Sequence, residues 1–548
     1  MGIQDKIVRP VVRQWLGGLA ALAVGGGAAS AQTNEPWFGL PPPGPATEQV
    51  LDFTTVDLPM IAAPGVGADT ELSGATAHHY VSDIVGFAEQ SRRAGDATWG
   101  RLASSPWTAK AVDYVEGYFR AAGLKDIARI PAPYATPQTI ATAWRVTLIG
   151  RPDLGVGSAD VALQSAFPMD VTPEGGVVPP GGAAPKPGVT SQSVTAPLIY
   201  LGGGTPAELA SAEVRGRIAV LRFEPASSIF FTPLFRTAQQ LITAGAAGVL
   251  VVYDAPGNMQ THFGSCTGGP CFVLGGEDGQ FLNAAIARAA KAGAPAIQAT
   301  LSLTNETKAG EQGVLLVGKI PGRTPGGENL IVSAHSDSWF AGADDNASGM
   351  AALIALAQHY AKGPRPAHDM YFVLSPGHHS PTGSLRAFIA QHPTVPPANI
   401  LTINLEHVGQ QAMVRSYFNQ TGGMGSTLSK YGQANYTWEP ANGDSPGREI
   451  SGSPMTPALK RLIAAAAERA QFVAPSRLRE GTPGELPAIV AAGATAIQDV
   501  ETGMWYHTSG DTTETVAPQA LQRALLFYKA MLDDADKMTR GQLRATAP

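Results

Sequence analysis

Between Ser333 and Gly349 the sequence crowds one histidine and three aspartates, His335, Asp337, Asp344 and Asp345, into eleven positions. An imidazole and several carboxylates in so short a stretch can hold a divalent cation. His335 closes an apolar run of strand length, and Asp337, two residues on, faces the same way in extended chain. A carboxylate so placed sets the tautomer of the imidazole, as it does behind a metal-ligating histidine. Asp345 and Asn346 stand before an apolar helical pattern, where Asp or Asn caps the first amides. The alternative reading of this stretch is a strand, a loop and an ordinarily capped helix.

Three more clusters carry the same residue types. They are Gly377-His378-His379-Ser380, Asn404-Leu405-Glu406-His407-Val408-Gly409, and Trp505-Tyr506-His507-Thr508 with Asp511 and Thr512. Each alone reads as a polar loop. Together they place imidazoles and carboxylates after several different apolar runs. That distribution suits a two-metal hydrolytic site, in which two cations share a carboxylate and take nitrogen or oxygen ligands on either side.

The elements that must position these residues alternate in type. Val314–Ile320, Leu330–Ala334, Met370–Leu374 and Ile400–Leu405 are apolar runs of strand length. Helical patterns follow at about 347–361, 382–391, 456–470 and 518–537. The alternation predicts an α/β layered fold with a largely parallel central sheet, whose sites collect past the carboxyl ends of the strands. Upstream, 79–124 reads as helical and 141–149 as a strand. Residues 150–195 shift to Gly, Pro, Ser and Val, which suggests a boundary. Residues 196–302 form a block of short strands, Ile218–Phe223 and Gly248–Tyr253 among them, with a helix between and no chemistry of its own.

A chain of 548 residues predicts two or three domains. Hydrophobic residues at 44% against 15% charged describe a globular protein. The net charge of −6 has no basic patch, which argues against a nucleic-acid partner. Lys6, Arg9 and Arg13, the apolar stretch Trp15–Val24 and the small residues ending at Ala29-Ser30-Ala31 read as an export signal. The alternative is a membrane anchor, for which the stretch is short and glycine-rich. The expected location is therefore periplasmic or secreted, with no membrane span in the mature chain. Cys266 and Cys271 permit a small loop disulfide.

At the four clusters the sequence resembles the co-catalytic zinc exopeptidases of metallopeptidase family twenty-eight. That family includes bacterial leucyl aminopeptidases, glutamate carboxypeptidases and the transferrin receptor. The resemblance implies a phosphorylase/hydrolase-like zinc exopeptidase fold, with a mixed, largely parallel central sheet flanked by helices. It also implies an inserted β-rich protease-associated (PA) domain, marked by Val214-Arg-Gly-Arg-Ile-Ala-Val-Leu-Arg222 and Ala244-Gly-Ala-Ala-Gly-Val-Leu-Val-Val-Tyr253. The expected organisation is a signal peptide at 1–31 and a Pro-rich linker or arm at 32–74. The catalytic domain would take 75–148 and 304–538, the insert 149–303 and a tail 539–548.

Carried over position by position, the resemblance gives one zinc to His335 and the other to His507, with Asp345 bridging. Asp337 would orient His335, and Tyr506 would stabilise the oxyanion. Two positions depart from the family. Its usual Gly-Ala-Glu-Glu, which supplies the general base and a zinc ligand, is Pro376-Gly377-His378-His379 here. The family aspartate after the next strand is Glu406. His379 would then be a ligand, with Glu406, and His378 would either take the base's place or serve as a third nitrogen ligand that displaces the catalytic water. The expected function is an exported zinc-dependent aminopeptidase or carboxypeptidase acting on small peptides through a metal-bound hydroxide, with two zinc ions. The alternative is a catalytically degenerate metal-binding or scaffold homologue.

Overall fold

In the strand Asn329–His335 every residue is buried, which is why it shows no polar alternation. Leu330, Val332 and Ala334 pack into one hydrophobic core with the helix Gly349–Lys362, while Ile331 turns to a second core with Val373, Leu385 and Phe388. Both faces of the strand are therefore covered. The computed structural model describes residues 40–41, 43–47, 62–134, 136–151, 159–170, 186–225, 232–378, 385–416, 437–444, 449–472, 477–482, 484–500 and 503–546. The expected signal peptide and His379 lie outside these residues.

Asn329–His335 sits inside an eight-stranded sheet. In order across it run Arg477–Glu480, Glu449–Ser453, Ala496–Val500, Asn399–Asn404, Asn329–His335, Asp369–Ser375, Gln312–Ile320 and Lys125–Pro133. Its four middle strands, from Ala496–Val500 to Asp369–Ser375, are mutually parallel. Gln312–Ile320 runs antiparallel to Asp369–Ser375, as does Lys125–Pro133 to Gln312–Ile320. The sheet is thus mixed, with a parallel centre. The helices Gly74–Ala94, Pro106–Ala122, Gly349–Lys362, Pro457–Ala470 and Pro518–Ala535 bury apolar faces in one core with it.

A second eight-stranded sheet is built from Val161–Ala162, Gln138–Leu148, Gln298–Lys308, Gly188–Tyr200, Ile218–Phe223, Gly248–Tyr253, Cys271–Leu274 and Phe167–Pro168, in that order. Here the sequence-based bounds need correcting. The strand expected over 141–149 is Gln138–Leu148, and it pairs with Gln298–Lys308 in this sheet rather than in the site-bearing one. The unit expected at 149–303 therefore begins and ends in strands that reach beyond those limits. The reason is side-chain burial. Val146 and Leu148 share a core with Leu301 and Leu303, and the Gly/Pro shift near 150 marks a loop inside the unit. Cys266 and Cys271 form the disulfide. No helix among the described residues is long and apolar enough to cross a membrane.

Candidate metal centre

Parallel strands deliver their carboxyl ends to one edge, and the four chemical clusters follow those ends. His335 is the last residue of its strand and fully buried. Its Nδ1 lies 3.1 Å from Asp337 Oδ1, and its Nε2 lies 3.1 Å from Asp345 Oδ1. Asp337 Oδ1 also accepts the backbone N–H of His378 at 2.9 Å. One carboxylate oxygen thus ties two of the clusters together.

Asp345 is the meeting point. Its Oδ2 is 3.2 Å from His507 Nε2, and its Oδ1 is 3.5 Å from His407 Nε2. The peptide bond Asp345–Asn346 is cis. Asn346 caps the following helix, accepting from the Gly349 N–H at 3.2 Å, so the capping role expected of the Asp-Asn pair falls to Asn346. Asp511 holds the loop from beneath by accepting the backbone N–H groups of Asp344 (2.8 Å) and Asp345 (3.1 Å). Burial pushes Asp511 up to about 6 against those hydrogen bonds.

Glu406 follows the strand Asn399–Asn404. Its Oε2 accepts from Asn404 Nδ2 at 3.2 Å and from Gln498 Nε2. Its Oε1 faces His378 Nε2 at 3.5 Å and His407 Nε2 at 3.7 Å. His378 Nδ1 lies 3.0 Å from Glu485 Oε2, and its ring stacks on His335 with centroids 4.9 Å apart.

His507 is held from two sides. The Tyr506 ring stacks on it at 3.7 Å, and Phe263, from the loop after Gly248–Tyr253, stacks at 5.5 Å. The Tyr506 ring also meets His407 edge-on at 5.0 Å.

Of the residues expected from sequence, His335, Asp337, Asp345, His378, Glu406, Tyr506 and His507 come together here. The structure adds His407, Glu485, Gln498 and Arg101. His407 stood in plain view beside Glu406. Glu485 carried no local signal, because it sits in a Gly/Pro-rich turn with no histidine or aspartate beside it. Arg101 is fully buried and donates to three carbonyls, Ser336 O (3.2 Å), Ala341 O (2.8 Å) and Gly342 O (2.9 Å).

The electrostatics of the centre are those of a cation site. Burial alone would lower His335, but hydrogen bonds to Asp337 and Asp345 hold it well above the usual imidazole value. His378 goes against the same burial to about 10, through Glu406 and Glu485. His407 is likewise raised by Asp345 and Glu406 against burial. The carboxylates are drawing positive charge onto the imidazoles, and a divalent cation would meet the same demand while releasing those protons. Donor atoms of His335, His378 and Glu406 lie within 4.8 Å of one another, as do those of Asp345, Glu406 and His407. Borderline nitrogen and carboxylate donors in a buried cluster fit zinc.

Residues 316–531 match the family model for peptidase family M28. The match spans the site-bearing segment. It holds all of the metal-facing residues above, and the fold of the M28 segment recurs in solved structures. The chain is similar to a peptidase M28 precursor from Shewanella amazonensis SB2B at 16% identity and a TM-score of 0.61, over 88% of this chain and 98% of that one. It is similar to a zinc aminopeptidase from Bacillus subtilis at 17% identity and a TM-score of 0.54, over 85% and 95% of the two chains. Among curated proteins none matches.

Proposed function

We propose that the chain is an exported, zinc-dependent exopeptidase-type hydrolase that cleaves amide bonds of small peptides. The observation that carries this reading is the convergence on Asp345, whose Oδ1 faces His335 at 3.1 Å and whose Oδ2 faces His507 at 3.2 Å. A carboxylate addressed by two imidazoles in this way suits a bridge between two ions. On this reading His335 and Glu406 would hold one zinc and His507 and His379 the other, with Asp345 shared between them. Bound there, zinc would supply Lewis acidity for the scissile carbonyl and for a water near neutral pH.

The chain's own residues do the rest. Asp337 fixes the His335 tautomer by accepting from Nδ1. Tyr506 brings its hydroxyl to the oxyanion. The strands from Gln138 to Lys308 form the PA-like insert. The basic start of the chain, followed by a short apolar stretch and Ala29-Ser30-Ala31, supports export to the periplasm or beyond. The B. subtilis structure, described as a zinc aminopeptidase, supports the choice of metal and of amino-terminal cleavage.

One observation favours a second reading. The pair His378-His379 stands where the family has the glutamate base and a glutamate ligand, as expected for a scaffold that kept the metal and lost the chemistry. The experiment that separates the readings strips the purified chain with a chelator and reloads it with zinc. Metal content is then counted, and turnover of chromogenic aminoacyl and carboxypeptidase substrates is measured before and after. Activity that disappears and returns with zinc supports the hydrolase. Zinc bound without turnover of any substrate leaves the scaffold, and a chain that takes up no zinc overturns both.

A further inference from the structure

His378 and Glu485 repeat, across the chain, the local arrangement of His335 and Asp337. In each pair a carboxylate faces Nδ1, at 3.0 Å for His378 and 3.1 Å for His335. In each pair Nε2 faces a second carboxylate of the centre, Glu406 at 3.5 Å and Asp345 at 3.1 Å. The two rings stack 24° from parallel, so both Nε2 atoms address the same space. A carboxylate acts only as an acceptor when ionised, so Glu485 selects the tautomer of neutral His378 with the proton on Nδ1 and the lone pair on Nε2. That is the arrangement found behind metal-ligating imidazoles, where an outer carboxylate fixes the ring and raises its basicity.

The surroundings hold the ring tightly. Asp337 Oδ1 anchors the His378 backbone N–H at 2.9 Å. Gly484, at φ +63°, lies against the ring, and a Cβ there would stand 2.9 Å from Cε1. Glu485 itself is 5% exposed, too buried for a carboxylate with no task.

We propose that His378 is a metal ligand, and that Glu485 is the positioning residue that aims it. His335, His378 and Glu406 then make a two-histidine, one-carboxylate set whose donor atoms lie within 4.8 Å of one another. The position that serves proton transfer elsewhere in the family becomes part of the metal's coordination here. This inference rests on the zinc-site reading above and changes one role in it.

The test uses the full-length mature chain, stripped of metal, with zinc and then cobalt as probes. Zinc affinity and stoichiometry are measured by competition with a chromophoric chelator for wild type, His378→Ala, Glu485→Gln and Glu485→Asp. His378→Ala is expected to weaken one ion by a hundredfold or more. Glu485→Gln is expected to weaken the same ion about 10- to 100-fold, with partial rescue in Glu485→Asp. The visible spectrum of the cobalt form should change in His378→Ala, because a nitrogen donor is lost. Unfolding of the metal-free variants separates this from general damage, since a merely structural Glu485 would lower stability and leave zinc affinity and the cobalt spectrum alone. If Glu485→Gln does not fold, His378→Ala decides the matter. Wild-type affinity, stoichiometry and cobalt spectrum in His378→Ala would overturn the proposal while leaving the hydrolase reading in place. A wild type that binds no zinc would overturn both.

Discussion

The backbone N–H of His262 donates to the carbonyl oxygen of His507 across 2.8 Å. His262 belongs to the loop that follows the strand Gly248–Tyr253 of the second sheet, and His507 faces Asp345 in the candidate centre. Around this bond the Tyr253 hydroxyl donates to Met504 O, Thr261 bridges to Thr508, and Phe263 stacks on His507. The second sheet therefore builds one wall of the site.

Phe263→Ala should damage the centre from outside the M28 segment. Removing a buried ring costs about 3 to 5 kcal/mol, and here the ring also backs an imidazole of the site. Denaturation should show that loss, and zinc titration should show weaker binding of one ion. Unchanged zinc affinity would mean that the segment 503–511 orients His507 without help.

Arg101 supports the loop between His335 and Asp345 by donating to Ser336, Ala341 and Gly342 carbonyls. Burial lowers its guanidinium to about 10, against the charges of Asp345, Asp511 and Asp337, so it stays protonated at neutral pH. Arg101→Met would take a donor from the buried Ser336 and Ala341 carbonyls, while Gly342 O keeps the Ala347 N–H, and would remove a cation from beside acidic groups. A loss of about 3 to 5 kcal/mol is expected. Arg101→Lys should recover only part of it, since an ammonium lacks the planar fork. Full recovery by lysine in thermal unfolding would contradict this account.

Gly342 turns the same loop with φ +55°, and a Cβ there would lie 2.3 Å from Ser338 Cβ and 2.5 Å from Asp345 O. Gly342→Ala combines backbone strain with a collision beside Asp345. Strain of this kind costs about 1 to 3 kcal/mol, and the displaced Asp345 should weaken zinc binding. Stability and zinc stoichiometry, measured together, would show whether the loop absorbs the methyl.

Asp278 gives the second sheet a pH dependence of its own. Burial pushes its carboxyl up to about 6, against hydrogen bonds from Ser165 N–H (2.7 Å) and Oγ–H (2.6 Å). The unfolded chain releases this proton near 3.9. Between roughly pH 4 and 6 the folded protein keeps a proton that the unfolded chain gives up, so the contribution to stability falls as pH rises through that window. Asp278→Asn removes the contribution. From pH 4.5 to 7 the wild type should lose about 2 kcal/mol relative to the variant. A difference independent of pH in urea unfolding would refute the assignment.

Much of the centre was legible from the chain alone. The strands Ile218–Phe223 and Gly248–Tyr253 lie where their apolar runs place them, and Asn329–His335 and Asp369–Ser375 extend their predicted runs by one residue at each end. The Asp337–His335 contact follows from extended geometry over two residues. Parallel order at the centre of the sheet follows from strands separated by helices. Such features depend on a few consecutive residues, and local sterics and burial settle them.

Other features were decided only when distant segments met. Gln312–Ile320 reads like its neighbours but runs antiparallel to Asp369–Ser375, because an apolar run carries no direction. Gln138–Leu148 joins the second sheet because its buried face matches Leu301 and Leu303, far along the chain. Glu485 reaches His378 across 107 residues, a contact that neither local sequence announces. The sequence by itself determined which kinds of ligand this protein brings to its metal centre. The tertiary structure decided which carboxylate stands behind each imidazole, since that depends on strand order and loop packing, which no local spacing encodes.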